Sequence, residues 1–175
     1  MAELMKAATA RDAVARCLSA APSTAFGGPP PPVGGGDLLS GFLREQARRP
    51  FEWGTANCLL LPADWIVRLG LPDPAAEWRE LVDEAAALAL VARWGGVIRL
   101  AEAAMAAHRR VDVTNAVRGD VGVVTVLAAD GPAEVGAVCT GTRWAARGVH
   151  GLSFGPATPV AVWRPAAGQV RGGLS

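Results

Sequence analysis

Cys58 is the residue with the most reactive chemistry open to it. It follows Asn57, a good N-cap, and so opens a helix expected over Cys58 to Leu69. A thiol in a first helical turn feels the positive end of the dipole and its unpaired N–H groups, which favour the thiolate. A cysteine nucleophile needs that setting. The opposing reading is a small buried hydrophobe, since cysteine outside disulfides is among the most buried residue types. A nucleophile also needs a base, and the two histidines are His108 and His150. His108 ends a helix beside Arg109 and Arg110, where it is expected to cap the C-terminus. His150 starts a short strand in the half of the chain expected to face the Cys58 helix. It is the candidate base, and the alternative is an ordinary surface histidine.

Other residue types offer less. Three cysteines and two histidines without a paired Cys motif make a structural zinc site a poor expectation. No cofactor or metal is expected. Arg118-Gly119-Asp120 spells a cell-adhesion tripeptide but reads as a turn leading into a strand. Of the six tryptophans, Trp65, Trp94 and Trp163 sit where periodicity wants core, while Trp53 and Trp144 are free to line a groove.

The elements that position these residues follow from local signals. Asp37 caps a helix with Leu38, Leu39, Phe42 and Leu43 at helical spacing, and Pro50 stops it. The loop Phe51 to Asn57 leads to the Cys58 helix, which Gly70 ends. Asp73 and Pro74 start a short helix. Asp83 starts another, with Leu88, Val91 and Trp94 inward, and Val97 to Ala107 forms a further amphipathic helix. From Val121 the pattern turns to strands: Val121 to Leu127, a turn at Ala129 to Pro132, Val135 to Thr140, Thr142 to Arg147, His150 to Phe154, and Val160 to Trp163. Helices first and strands second give an α+β domain with a small antiparallel sheet.

The chain has 175 residues, 51% hydrophobic and 19% charged, with a net charge of +1. This is a globular composition, and it argues against a nucleic-acid partner. The longest uncharged stretch, Cys17 to Gly36, is too rich in proline and glycine for a membrane span. Residues 1–36, Ala-rich and then Pro/Gly-rich, read as a disordered tail, residues 37–165 as one domain, and residues 166–175 as a flexible C-terminus.

Several motifs fit together. They are Arg49-Pro50-Phe51-Glu52-Trp53-Gly54-Thr55-Ala56-Asn57-Cys58 with Ala63-Asp64-Trp65, then Asp73-Pro74-Ala75, Trp78-Arg79, Gly95-Gly96, Arg118-Gly119-Asp120-Val121, Val135-Gly136, Gly151-Leu152 and Ala161-Val162-Trp163. Over Leu39 to Arg164 the chain resembles an uncharacterised family of small proteins from phage, prophage and gene-transfer-agent tail modules. That family is similar in turn to the NlpC-type cell-wall peptidases, whose fold is papain-like. The resemblance implies a papain-like α+β fold with Cys58 as nucleophile. It aligns the Gly-Asp pair with Gly119-Asp120, and the His-Val-Gly stretch that supplies the base with Glu134-Val135-Gly136. Asn57 stands for the usual Asp. Glu134 stands for the base, and a glutamate of pKa about 4.3 is a poor base for a thiol and disfavours a neighbouring thiolate. His150 would have to serve from another strand.

The expectation is an accessory protein of a phage-type tail, degenerate as an enzyme. Other tail proteins or peptidoglycan would be its partners, met through a groove of Trp53, Asn57 and Glu134. The alternative is an active cysteine hydrolase on peptidoglycan peptides, with Cys58 and His150 as the catalytic pair. The expected location is cytoplasmic, or within a virion or tail-like particle.

Overall fold

The computed structural model describes residues 37–166 except 82, 129 and 130. The tail assigned to 1–36, most of the C-terminal segment 166–175 and the first half of the 129–132 turn lie outside the described residues.

Four helices precede most of the sheet: α1 (Leu38–Ala47), α2 (Leu60–Arg68), α3 (Glu84–Trp94) and α4 (Val97–Ala104). Their starts follow the capping residues. The Asp37 carboxylate accepts from the Ser40 amide at 2.7 Å, and Asp83 accepts from Ala86 at 2.8 Å. Gly70 and Gly95 end α2 and α3 with φ of 78° each, a left-handed geometry suited to glycine. Asp73 accepts from the Ala75 amide at 2.9 Å just before a single 3₁₀ turn, Ala76–Trp78, which no side chain caps.

The sheet has six antiparallel strands: β1 (Arg109–Val111), β2 (Val121–Ala128), β3 (Gly131–Cys139), β4 (Trp144–Gly148), β5 (Gly151–Gly155) and β6 (Thr158–Arg164). Their spatial order is β1-β6-β2-β3-β4-β5. The α+β class and the antiparallel sheet match the sequence reading. Strand β1 was not expected, because Arg109-Arg110-Val111 carries no apolar alternation. It is held instead by pairing with β6 and by the Arg110 guanidinium, 4.8 Å from the Trp163 ring centroid.

One face of the sheet takes the helices. Val121, Val123, Val138, Ala145, Phe154, Ala161 and Trp163 form a core there with Phe42, Leu61, Trp65, Val91 and Leu100. The other face buries Val124, Val126, Val135, Ala137, Cys139, Trp144 and Val162 in a second cluster. Two tryptophans depart from expectation. Trp94, expected inward, is 39% exposed at the last turn of α3. Trp144, expected to be free, is buried. Its indole lies over Gly122, where a β-carbon would stand 3.2 Å from the ring.

Two buried charges tie the layers. Asp120, 1% exposed, takes a bidentate pair from Arg164 at 2.9 and 2.8 Å and accepts from the Val117 amide. The Arg-Gly-Asp tripeptide is therefore a structural turn whose carboxylate is already bound. Arg147, on β4 and 2% exposed, donates to the Gln46 and Arg49 carbonyls at the end of α1 and to the Gln46 side chain, all at 2.7–2.8 Å. It thereby places a positive charge at the negative end of the α1 dipole.

Helix α2 approaches β3 more closely than a side chain allows. A β-carbon on Gly136 would lie 2.5 Å from the Cys58 carbonyl oxygen and 3.0 Å from Pro62. Gly136→Ala is expected to cost about 1–3 kcal/mol in urea unfolding. Gly41→Ala in α1, where nothing lies within 4 Å, is the control and is expected to be neutral or stabilising.

Candidate functional site

Asn57 makes the start of α2. Its side-chain oxygen accepts from the Leu59 and Leu60 amides at 2.9 and 3.0 Å, and its amide nitrogen donates to the Trp53 carbonyl. The Leu61 amide bonds back to the Asn57 carbonyl, and Cys58 stands in the turn that leads into α2, which begins at Leu60 and not at Cys58 as the sequence predicts. The Cys58 side chain is not presented to solvent. The residue is 3% exposed and belongs to the apolar cluster around Val124 and Val135.

Strand β3 provides the surface under this helix start. The Trp65 indole donates to the Gly119 carbonyl, and the Gly119 amide donates to Cys139. The later turns of α2 therefore lie over the end of β3, and the Cys58 carbonyl lies over Gly136, while the Cys58 side chain packs with Val124 and Val135, which face the other way. Strand periodicity puts Glu134, Gly136 and Val138 on this same face. Glu134 stands two residues before Gly136, on the side of the α2 start. It pairs across the ladder with Thr125. Burial pushes the Glu134 carboxyl above its ordinary pKa.

His150 takes a different place. It is exposed in the two-residue turn between β4 and β5. The position on the α2 face of β3 belongs to Glu134, so a buried thiol and a solvent-facing imidazole are what the fold supplies. His108 does not cap α4 with its side chain; its Nδ1 accepts from the Ala166 amide at 3.3 Å, and burial lowers its pKa.

Trp53 is half-buried in the loop before Asn57, its ring edge-on to Phe51 at 5.1 Å between centroids. The loop is clamped by ion pairs and hydrogen bonds whose pairing the sequence did not give. Arg49 donates to the Thr55 carbonyl at 2.9 Å and pairs with Asp64. Asp64 pairs with Arg79 at 2.9 Å, and Arg79 also binds Asp73. Gly54 lies against the Arg79 carbonyl. The Asp64 signal was available in sequence, since Asp64 follows Pro62-Ala63 on a face otherwise apolar, but its partners come from three separate segments.

Beside α2 lies an apolar recess of about 30 Å³. Leu59, Pro62 and Trp78 form one wall, α4 forms the other, and Val123 and Gly136 are part of the floor. A second, polar recess at the β1 edge is lined by Arg109, Arg110, Asp112, Asn115 and Arg164. Among the described residues no group of His, Cys, Asp or Glu could hold a metal ion, and no helix is long and apolar enough to cross a membrane.

A family model described as a domain of unknown function, DUF6950, matches residues 36–165. The chain belongs to the DUF6950 family. No curated protein and no solved structure matches it. The DUF6950 match spans every described element, so Asn57, Cys58, Glu134 and the apolar recess all lie within the family domain.

The raised pKa of Glu134 has a thermodynamic sign. The protonated carboxyl favours the fold, so this contribution is present below the unfolded pKa of about 4.3 and is lost as pH rises through the folded value. Glu134→Gln should therefore raise Tm more at pH 7 than at pH 4. An equal or larger gain at pH 4 would contradict the assignment.

Proposed function

We propose that this protein is an accessory component of a phage-type tail or gene transfer agent. On this reading its domain is papain-like, of the NlpC type, and has given up hydrolysis for binding. The observation that carries the loss of hydrolysis is Glu134 on the α2 face of β3. The resemblance aligns Glu134 with the residue that supplies the base, and a carboxylate is a poor base for a thiol. The burial of Cys58 and the exposure of His150 support the same reading. The helix-on-strand arrangement of the Cys58 carbonyl over Gly136 supports the papain-like assignment, together with the motifs that carry the resemblance. The tail context rests on that resemblance. Other tail proteins are the expected partners, with peptidoglycan as the alternative contact.

The test of activity is the rate of Cys58 alkylation against pH, with Cys17 and Cys139 changed to Ala. Slow reaction with a pH profile unmoved by His150→Ala is expected. A thiolate that titrates well below about 8.5, and loses this on His150→Ala, would restore the cysteine hydrolase with Cys58 and His150 as its pair. The tail role is tested separately by mass spectrometry of purified tail-like particles from cells expressing the chain. The protein should be present in the particles, and its absence would remove the tail assignment.

A further inference from the structure

Strand β1 stands at one end of the sheet and pairs with β6 alone among the described strands. The backbone N–H and C=O groups on its outer side have no ladder, and such an edge is a template for a further strand. Pairing with β6 fixes which way the β1 side chains point. Arg110 stands opposite Trp163 and lies over its ring, on the face that carries the helices. Arg109 and Val111 stand opposite Arg164 and Val162 and take the other face.

On both faces the guanidinium groups outnumber the carboxylates paired with them. On the helix face, Arg110 and Arg99 share Glu102, at 3.1 and 3.7 Å. On the other face, Arg109 stands directly across the ladder from Arg164, which is unfavourable for like charges. Asp120 is bound to Arg164, and Arg109 has no ion pair among the described residues. Arg109, Arg110 and Arg164 all line the polar recess at this edge. Asp112 shares that recess, but its carboxylate is held by the Thr114 amide at 2.8 Å and by the Thr114 hydroxyl.

We infer that β1 receives an extended segment of a partner protein as an added strand, and that this segment carries two consecutive acidic residues. Neighbouring residues of a strand point to opposite faces, so one acid meets Arg110 on the helix face and the next meets Arg109 at the recess. The residue level with Val111 is apolar. Backbone pairing supplies affinity, and charge complementarity selects the segment. Charged residues on a short edge strand guard it against indiscriminate pairing. Here they also oppose a second copy of the chain, whose β1 would bring arginines together. An acidic strand is the one they admit. The edge is separated from β3 by β6 and β2, so this pairing goes beyond the tail assignment and stands whether or not Cys58 is reactive.

The test is a titration of the ¹⁵N-labelled full chain with the peptide Thr-Val-Glu-Glu-Val-Thr, blocked at both ends, followed by NMR. The peptide reads the same in both directions, so it serves either strand polarity. Saturable shifts are expected at Arg109, Arg110 and Val111, with slowed amide exchange on this strand. Glutamine in place of both glutamates, or Arg109→Gln in the chain, should weaken binding about tenfold or more. Arg109 is exposed, so its variant is expected to fold as the parent does. A peptide N-methylated at both glutamates keeps its charge, cannot complete the ladder, and should not bind. Absence of saturable shifts, shifts confined to other faces, or equal binding of the glutamine peptide, the N-methylated peptide or a DNA duplex would overturn the inference. None of these outcomes depends on thiol reactivity. A chain that binds the acidic peptide yet is absent from tail-like particles would lose the tail assignment and keep this edge.

Discussion

The Cys58 carbonyl occupies space that a side chain at position 136 would need, with 2.5 Å between that oxygen and an idealised β-carbon. Glycine there lets the start of α2 lie directly on the β3 backbone. That contact fixes how deep the helix sits, and most of the site follows from the depth. Pro62 comes to rest on the same glycine. Asn57 can then cap the helix from a loop that has to turn sharply, and its amide holds the Trp53 carbonyl in that turn. The thiol is drawn into the apolar layer. The gap left on the α4 side becomes the recess lined by Leu59, Val123 and Gly136.

A second constraint keeps the neighbouring helix in place. Arg147 reaches under the C-terminal turn of α1 and donates to the Gln46 and Arg49 carbonyls. A buried guanidinium is costly unless its donors are used; here both terminal nitrogens are bound at the negative end of the α1 dipole and by the Gln46 side chain, while Nε is buried with no hydrogen-bond partner among the described residues. The same turn carries Arg49, which binds Asp64 on α2 and the Thr55 carbonyl in the Trp53 loop. Strand β4, helix α1, helix α2 and the loop before Cys58 are thus joined through a few guanidinium groups. The loop is positioned by charge and hydrogen bonding as much as by its aromatic residues.

Local signals were legible in the sequence. Asp37, Asp83 and Asn57 cap the helices that their types and spacing predict, because capping depends on residues within one turn. Cys58 was legible as a residue near a helix start, though α2 itself begins two residues later. Long-range placement was not. The burial of Trp144 depends on Gly122 lacking a side chain on a different strand. Trp94, the last residue of α3, is exposed although its spacing from Val91 is helical. Strand β1 exists because β6 offers an edge and Trp163 offers a ring, neither of which is visible in Arg109-Arg110-Val111. Arg147 gave no signal, since nothing in a strand's pattern marks an arginine that will lie under a helix end. His150 was placed in the correct half of the chain, but its turn lies beyond β4 from the α2 face of β3.

The electrostatics at the start of α2 bear on what such a site can do. A helix N-terminus favours one neighbouring anion, and a thiolate and a carboxylate at the same helix start oppose each other. Glu134 is already partly desolvated, and burial alone accounts for its raised pKa. Its cross-strand partner is Thr125. On the proposed reading this carboxylate stands where the resemblance places the base of Cys58, and a carboxylate beside a thiol disfavours the thiolate.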